Sequence, residues 1–271
     1  MTAANDWTGR VGDVWAQEWR STDRSFAALD TILHAAIVDA APRHAFSALD
    51  IGCGAGGTSI ALADARDDGV VVGVDLSVAL VEAARQRAGV RDNLHFVVDD
   101  AVAYAAKAVP VDLIVSRHGV MFFADPVAAF AVLARRSRAG ARLVFSCFAE
   151  RAANPWSTIL APAPEASGYA PGPFAFADPD FVAATLAAAG WRDTKPQRVP
   201  FAYRVGAGAD PIADATGFLS RIGPSASLLN AARPADRPVL LARLAGALAE
   251  RRSGDAVDFP AAAWIWSATN T

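Results

Sequence analysis

One short segment, residues 49–63, constrains the fold more than any other part of the chain. An apolar run ends there in Asp50, and a helical pattern begins after a series of glycines, namely Gly52, Gly54, Gly56 and Gly57. Glycines let the backbone turn sharply and approach a ligand, and the free N–H groups of the following helix point toward the same place. The segment therefore predicts a strand, a turn and a helix that hold a ligand at the end of the strand.

The first half of the chain alternates short apolar runs with stretches of helical period. The apolar runs are rich in Val, Ile, Leu and Phe and predict buried strands at residues 45–51, 70–75, 94–99, 111–116 and 141–148. The helical stretches cover residues 57–66, 78–88, 101–108 and 126–137. This alternation is typical of a doubly wound α/β sheet. Asp125 and Pro126 predict the start of the last of these helices, and Gly140 is predicted to follow its end.

Helical additions flank this alternating core. Residues 25–41 place apolar side chains at three- and four-residue steps on one face, and Pro42 ends the pattern. Helical patterns return at residues 212–222 and 237–251, before a last strand at residues 260–268. We therefore expect a helical cap at the N-terminus and a helical insertion before the last strand.

An irregular stretch rich in Pro, Ala and Gly covers residues 150–179, after which Asp178 and Pro179 predict a new helix. A connection of this length is typically a lid, a binding segment or a surface excursion. Trp156 and Phe174 are the lid candidates, and together with Met121 they are predicted to line an apolar substrate pocket. Three tryptophans near the N-terminus either fold over the site or serve as plain packing, namely Trp7, Trp15 and Trp19.

Charge and cysteine content exclude several functions. Lys and Arg number 25 against 28 Asp and Glu, so a formal net charge of -3 gives no global field that favours nucleic acid or an anionic membrane. Cys53 and Cys147 lack the spacing of a zinc site or a disulfide scaffold. The N-terminus lacks the apolar core of a secretory signal, and no apolar run is long enough to span a bilayer. We expect a cytoplasmic monomer or homodimer without a metal, whose partner is a small molecule rather than nucleic acid or a membrane.

The glycines by themselves are an ambiguous signal. Gly52, Gly54 and Gly57 satisfy the G-x-G-x-x-G dinucleotide fingerprint, and Asp75 lies at about the distance expected for a ribose-binding acid. An adenosine-containing cofactor across the strand ends is the functional interpretation. A purely structural glycine turn is the alternative.

The complete pattern, an acid at position 50 followed by alternate glycines, resembles motif I of the class I S-adenosylmethionine-dependent methyltransferases. Asp75 matches the family's carboxylate that accepts hydrogen bonds from both ribose hydroxyls. Asp100 and Ala101 match the residues that contact the adenine, with Asp99 as the alternative acid. The resemblance covers residues 46–148, and it is nearest to the small-molecule methyltransferases related to quinone biosynthesis.

The resemblance implies a Rossmann-like methyltransferase fold, with a seven-stranded, mostly parallel sheet and S-adenosylmethionine as the cofactor. Because the chain shows no internal repeat, we expect a single domain over residues 1–271. Within that domain, residues 1–44 form a helical cap, 45–149 the cofactor-binding core, and 150–271 a substrate-side half with the lid loop and the helical insertion. The implied cofactor-binding residues are Asp50, Gly52, Cys53, Gly54, Asp75, Leu76, Asp100, Ala101, Ser116 and Arg117.

His118 follows the predicted fourth strand, in the loop that in this architecture faces the transferable methyl group. It could accept a proton from a substrate hydroxyl or amine, and the alternative is a hydrogen-bonded residue of the pocket wall. Arg117 could bind an acidic substrate or the cofactor's carboxylate, or reach solvent while its backbone faces the ligand. We expect methyl transfer by in-line attack to a small, apolar or aromatic acceptor, achieved mainly by positioning and exclusion of water.

Three other functions stay open from the sequence. An NAD(P)-dependent oxidoreductase fits the glycines, but none of the tyrosines stands in a Tyr-x-x-x-Lys arrangement. A nucleic-acid methyltransferase acting on base amino groups would carry an Asp/Asn-Pro-Pro-aromatic motif after the fourth strand, where this chain has Ser-Arg-His-Gly-Val-Met-Phe. A protein that binds S-adenosylmethionine without turnover would show the same sequence features.

Overall fold

The computed structural model describes residues 7–162 and 168–271. Its strands are β1 (Phe46–Ile51), β2 (Gly69–Asp75), β3 (Leu94–Val98), β4 (Val111–Arg117), β5 (Ser137–Phe148), β6 (Trp191–Ala207), β7 (Arg252–Ser253) and β8 (Ala256–Asn270). Its α-helices are α1 (Arg10–Gln17), α2 (Trp19–Ala40), α3 (Gly57–Ala65), α4 (Val78–Ala88), α5 (Ala101–Lys107), α6 (Pro126–Arg135), α7 (Pro179–Ala188), α8 (Pro211–Leu219), α9 (Gly223–Ala231) and α10 (Arg237–Ala249). Two parts of the predicted segments, residues 1–6 of the cap and 163–167 of the irregular stretch, lie outside the described residues.

The strands form one sheet in the order β3-β2-β1-β4-β5-β8-β6. The first five strands run parallel to one another, and β8 pairs antiparallel with both β5 and β6. The predicted doubly wound, mostly parallel sheet is confirmed. The short β7 pairs only with β8 and adds an eighth strand to the seven that were predicted. Because the chain turns one way from β1 to β3 and the other way from β4 to β5, the carboxyl ends of β1 and β4 form the topological switch point where such sheets bind ligands.

Side-chain caps set the helix starts as the sequence predicted. Asp125 accepts a hydrogen bond from the backbone N–H of Ala128 at 2.9 Å, and Pro126 is the first residue of α6. Asp178 caps α7 by accepting a hydrogen bond from the backbone N–H of Asp180 at 2.9 Å. The prediction for Gly140 is wrong, because α6 ends at Arg135 and pairing with β4 already begins at Ser137. Gly140 therefore lies inside β5, with a φ of 78°.

The long helix α2 carries the N-terminal cap onto the sheet. Its buried face is mostly apolar, with Phe26, Leu29, Leu33 and Ile37 beyond two buried polar residues, Thr22 and Ser25. Ser25 lies where this helix meets β6. Its Oγ is 2.9 Å from the backbone oxygen of Ser21 on the same helix and 2.9 Å from the backbone oxygen of Arg204 on β6. The helix starts earlier than the apolar pattern predicted. Its first turns, from Trp19 to Phe26, thus lie beside the carboxyl ends of the parallel strands.

Within residues 7–162 and 168–271, no helix is both long and apolar enough to cross a bilayer.

Candidate functional site

A cavity of about 700 Å³ opens at the carboxyl ends of the parallel strands. Its walls come from the loops that follow β1, β2, β3 and β4, from the two N-terminal helices, and from aromatic side chains of β5 and β6. A volume of this size lies within the range of roughly 300–1,000 Å³ that small-molecule and cofactor sites occupy. The cavity is therefore the candidate functional site.

The glycine loop after β1 forms one wall of the cavity. Gly52 and Gly54 have φ values of 62° and 55°, a region that side chains disfavour, and both residues line the cavity. A Cβ on Gly56 would lie 2.8 Å from the Phe96 ring and 2.9 Å from the Ala84 methyl, so the loop also needs glycine for close packing. Cys53 lies between these glycines and lines the cavity, with its thiol pKa raised by burial. The thiol is thus protonated and unsuited to nucleophilic chemistry.

Asp50 lies beneath this loop rather than in the wall of the cavity. It is fully buried, and one carboxylate oxygen accepts a hydrogen bond from Ser59 Oγ at 2.6 Å. The other oxygen has no hydrogen-bond partner within the described residues. Burial raises the pKa of Asp50 to about 7, although the Ser59 hydrogen bond opposes the shift. Asp50 therefore braces the turn from inside the sheet, and its side chain is absent from the lining.

Asp75 ends β2 and faces the same cavity. One carboxylate oxygen accepts from the backbone N–H of Gly54 at 2.9 Å, and the other accepts from Ser77 N–H at 2.9 Å. The carboxylate thereby fixes the glycine loop against the start of α4. Burial raises its pKa, and these backbone hydrogen bonds oppose the rise. Since a carboxylate has about four acceptor positions, two remain for a ligand.

The loop after β3 adds further acidic residues to the wall of the cavity, beside Leu76 of the loop after β2. Asp99, Asp100 and Ala101 line the cavity together with Leu76. Asp100 caps α5, because its Oδ1 accepts from Ala103 N–H at 2.8 Å, while its other oxygen has no such role. Ala101 is the first residue of α5, where backbone N–H groups have no intrahelical partner. This edge thus offers both a carboxylate oxygen and free N–H groups.

Arg117 ends β4 and lines the cavity, but its side chain is held in ion pairs. Its guanidinium contacts Asp30 at 2.6 Å and Asp23 at 2.7 Å, both on α2. Asp23 also contacts Arg87 at 2.6 Å, and Arg87 donates to the backbone oxygen of Ala55 at 2.6 Å. Burial opposes the charge of Arg117, but the two carboxylates outweigh it and raise the pKa of the guanidinium. The suggestion that Arg117 reaches solvent is wrong, because this ion-pair network joins α2, β4, α4 and the glycine loop.

Ser116 lies next to Arg117 but points away from the cavity. Its hydroxyl is fully buried, donates to the backbone oxygen of Ile51 at 2.7 Å and accepts from Gly119 N–H at 3.1 Å. Ser116 therefore ties the ends of β1 and β4 together. It is absent from the residues that line the cavity.

His118 occupies an unusual position in the wall. Its φ is 58°, a left-handed conformation that few side chains other than glycine adopt. Its Nδ1 lies 2.8 Å from Ser146 Oγ, and its Nε2 has no partner within the described residues. The ring packs between Phe26 and Phe148, with centroid distances of 4.6 Å and 4.4 Å. Burial and the charge of Arg117 lower the pKa of His118 to about 3, so the imidazole is neutral at physiological pH.

Aromatic side chains close the end of the cavity that lies away from the acidic edge. Trp156 contacts Tyr203 at 4.8 Å and Phe148 at 5.0 Å between ring centroids. Met121 lines the cavity as predicted, and so does Trp156, whereas Phe174 packs behind them on Phe148 and does not reach the lining. Sequence reasoning missed five residues of this wall, namely Thr22, Phe26, Phe148, Tyr203 and Ile222.

The three N-terminal tryptophans all line the cavity. Trp7 contacts Trp15 at 5.6 Å and also Phe122 of the loop after β4 at 5.1 Å. Trp19 lies under the guanidinium of Arg87 at 3.8 Å from its ring centroid. Of the two interpretations left open by the sequence, the tryptophans therefore take the covering position.

Residues 7–162 and 168–271 contain no cluster of His, Cys, Asp and Glu side chains that could hold a metal ion.

Comparisons with known proteins point to one family. Residues 48–140 match the sequence model of a family described as a methyltransferase domain. A search against curated proteins finds no match.

Solved structures share the fold. The YcgJ protein from Bacillus subtilis is 18% identical with a TM-score of 0.52, covering 89% of this chain and 98% of that one. A chain from the Haloferax volcanii complex that contains the Trm112 methyltransferase activator is 16% identical with a TM-score of 0.58, covering 99% and 97%. Phosphoethanolamine N-methyltransferase 2 from Haemonchus contortus, solved with S-adenosyl-L-methionine, is 14% identical with a TM-score of 0.55, covering 100% and 61%. Identities this low establish the fold alone.

Proposed function

We propose that this chain, whose residues 48–140 match a methyltransferase domain, uses S-adenosylmethionine as its cofactor, and we propose an acceptor class and a division of roles for it. The enzyme moves a methyl group to a small, apolar or aromatic acceptor. The observation that carries the proposal is one continuous cavity with two unlike ends, an acidic end at the glycine loop and an aromatic end at Trp156 and Tyr203. A polar cofactor fits the first end and an apolar acceptor the second.

The cofactor end, defined by Gly52, Gly54, Asp75, Asp100 and Ala101, fits the adenosine of S-adenosylmethionine. Asp75 keeps two acceptor positions for the ribose hydroxyls. Asp100 has a free carboxylate oxygen for the adenine amino group, and the first N–H groups of α5 can meet the ring. Cys53 and Leu76 contribute to the wall. Asp50 and Ser116 act through the backbone that they hold, since neither side chain reaches the cavity.

The predicted division of the chain is part of the proposal. Residues 45–149 carry the cofactor end, while residues 1–44 and 150–271 supply most of the aromatic wall. The aromatic residues Trp7 and Trp19 come from the first segment and Trp156 and Tyr203 from the second. The predicted state of monomer or homodimer stays a prediction.

The chemistry needs positioning more than proton transfer. S-adenosylmethionine would supply an electrophilic methyl group on a positively charged sulfur: the carbon–sulfur bond breaks as the bond to the acceptor forms, and the positive charge passes to the acceptor, which, where neutral, then releases a proton to water. An apolar, water-poor wall suits a step that spreads charge rather than separating it, and the aromatic side chains hold the acceptor in line with the methyl group. Met121, Trp156 and the N-terminal tryptophans exclude water from the reacting atoms.

The general-base role considered for His118 receives no support from its surroundings. A general base works best when its pKa lies near the operating pH, and the pKa of His118 is lowered to about 3. The neutral ring is better suited to hydrogen bonding than to holding a proton. We therefore assign His118 to positioning, and no catalytic base is required where the acceptor is already nucleophilic.

Calorimetric titration with S-adenosylmethionine, S-adenosylhomocysteine and NADPH in parallel tests the cofactor. We expect micromolar binding of the first two and none of NADPH. Formation of S-adenosylhomocysteine on incubation with a panel of phenols, quinols and aromatic amines then tests turnover. Tight cofactor binding with no product from any acceptor would favour a binding protein without activity, and binding of NADPH alone would overturn the proposal.

A further inference from the structure

The aromatic end of the cavity forms a continuous wall of rings, called here the acceptor wall and defined as Phe26, Phe148, Trp156 and Tyr203. Phe26 lies 5.6 Å from Phe148 and 5.5 Å from Tyr203 between centroids. All four side chains are at least nine-tenths buried, and all four line the cavity. Such a wall favours a ligand with an apolar, aromatic body.

Two polar side chains in this wall are left without partners. His118 and Thr22 are 9% and 7% exposed, and neither His118 Nε2 nor Thr22 Oγ1 has a hydrogen-bond partner within the described residues. Thr22 precedes Phe26 by four residues on α2, so both side chains lie on the same face of the helix. Buried polar atoms are normally hydrogen-bonded, and an exception calls for an explanation. A ligand in the cavity would supply the missing partner.

His118 is fixed so that one edge of its ring has a partner and the other has none among the described residues. Ser146 occupies Nδ1, and the backbone N–H of His118 donates to the backbone oxygen of Ser146 at 3.1 Å. Phe26 and Phe148 hold the ring from two sides. A strained residue that its surroundings hold in this way is a recurrent feature of ligand sites. The free atom is Nε2.

The charges around the acceptor wall are compensated. Arg117 is the cation among the described residues that line the cavity, and Asp23 and Asp30 both pair with it. The other acidic side chains that line the cavity are at the cofactor end or cap α6, namely Asp75, Asp99, Asp100 and Asp125. Among the described residues that line the cavity, neither a carboxylate nor an ammonium group on the acceptor would find an unpaired charge beside the wall.

We propose that the acceptor is a neutral aromatic compound carrying one hydrogen-bonding oxygen, which His118 Nε2 binds directly with Thr22 Oγ1 as a second contact. This assignment rests on the proposed function and extends it to the recognition of the acceptor. His118 is then a specificity-determining residue. It selects the acceptor and orients its ring on the acceptor wall, whether or not the bound oxygen is the atom that receives the methyl group.

Three matched probes test the assignment, namely 1-naphthol, naphthalene and 1-naphthoate. Binding to the complex of the protein with S-adenosylhomocysteine is measured by equilibrium dialysis. One neutral hydrogen bond corresponds to a preference of roughly 3- to 10-fold for 1-naphthol over naphthalene. We expect that preference, and we expect 1-naphthoate to bind more weakly than either neutral probe.

His118→Phe keeps an aromatic ring but removes the hydrogen bond, so the preference should fall to about 1 with unchanged affinity for S-adenosylhomocysteine. His118→Gln, whose amide reaches the position of Nε2, should restore part of it. Thr22→Val is a near-isosteric second variant that should reduce the preference, and it decides the test if the His118 variants fail to fold.

The outcomes separate this inference from the proposed function. Failure of the wild-type protein to bind S-adenosylhomocysteine would overturn the proposed function before any probe is added. Binding of S-adenosylhomocysteine with no binding of the neutral probes, with equal binding of 1-naphthol and naphthalene, or with tighter binding of 1-naphthoate would overturn the acceptor class alone. A preference that survives both His118→Phe and Thr22→Val would overturn the role of these two residues.

Discussion

The two ends of the cavity are built on opposite principles. The cofactor end comes from a contiguous part of the chain, and much of its geometry is backbone, as in the glycine loop and the first turn of α5. The acceptor end comes from α2, β5, a 3-10 helix at Pro155–Thr158 and β6, and its geometry is side chain against side chain. Local motifs can therefore specify the first end, whereas only tertiary packing specifies the second.

The two ends also differ in charge. Carboxylates surround the cofactor end, where Asp50 lies beneath the glycine loop and Asp75 faces the ligand. The acceptor end contains a neutral histidine, and the guanidinium of Arg117 between the two ends has two carboxylate partners. This contrast matches a cationic cofactor at one end and an uncharged acceptor at the other, and substitutions can test it.

Arg117 stands between the two ends, and its loss should have the largest effect. Arg117→Met leaves Asp23 and Asp30 without their shared cation, and removal of one member of a buried ion pair typically costs about 3–5 kcal/mol. Since the side chains of Asp23 and Asp30 are both partly exposed, we expect a loss of stability in the lower part of this range. Chemical denaturation of the apo protein would measure the loss.

The matched control is the double variant Arg117→Met, Asp30→Asn. It removes the carboxylate that only Arg117 pairs with, while Asp23 keeps its ion pair with Arg87, so it should recover much of the stability. Equal instability of the single and double variants would mean that Arg117 acts through packing over Phe26, whose ring centroid lies 5.6 Å away, rather than through charge.

Asp75 tests the cofactor end by itself. Asp75→Ala removes charge-assisted hydrogen bonds to the ribose and should weaken S-adenosylhomocysteine binding by about 1–3 kcal/mol. Because Asp75 also accepts from Gly54 and Ser77, the apo protein should lose some thermal stability as well. Calorimetry and thermal unfolding separate the two effects.

Asp75→Asn is the matched variant for this position. It keeps an acceptor oxygen and the size of the side chain, so its affinity should lie between those of the wild type and Asp75→Ala. The acceptor-wall probes should keep their relative affinities in both variants. Unchanged cofactor affinity in a folded Asp75→Ala protein would refute the ribose assignment, and a change in probe selectivity would show that the two ends are coupled.

The stability contributions of Asp50 at the cofactor end and His118 at the acceptor end should change with pH in opposite directions. The pKa of Asp50 rises to about 7 in the folded protein, so its neutral form stabilises the fold at low pH, and this contribution is lost as pH rises from about 4 through about 7. Asp50→Asn does not titrate and still accepts from Ser59. Its stability relative to the wild type should increase by roughly 2–3 kcal/mol between pH 5 and pH 8.

The contribution of His118 to stability changes with pH in the opposite direction, because the pKa of its imidazole is lowered to about 3. Its contribution is complete above the ordinary imidazole pKa of about 6.5 and is lost as pH falls from there through about 3. His118→Phe should therefore gain stability relative to the wild type as pH falls. Thermal unfolding of the three apo proteins across pH 4 to 8 checks both trends, and parallel trends for the two variants would contradict the assignment of opposite shifts.

The same contrast explains what the sequence could predict. Asp75, Gly52 and Gly54 lie where a strand pattern ends and a helix pattern begins, so alternation and motif spacing predicted their position, and all three line the cavity. Phe26, Phe148 and Tyr203 are ordinary apolar positions of a helix and two strands, and their convergence depends on how α2 packs across β5 and β6. His118 stood out as a candidate, but its neutrality depends on burial and on Arg117.

The N-terminal tryptophans provide the last and smallest test of where the boundary between the ends lies. Trp7→Ala removes ring contacts with Trp15 and Phe122, and an aromatic pair contributes about 0.5–1.5 kcal/mol. Since these rings cover the cavity, we expect S-adenosylhomocysteine to dissociate roughly 2- to 10-fold faster in stopped-flow displacement. Trp264→Ala is the control, because Trp264 lies outside the cavity and donates to the backbone oxygen of Ala177, and it should leave dissociation unchanged. Faster dissociation with unaltered selectivity for 1-naphthol would assign Trp7 to the cofactor end. Unaltered dissociation with reduced selectivity would move the boundary and make the N-terminal segment part of the acceptor end.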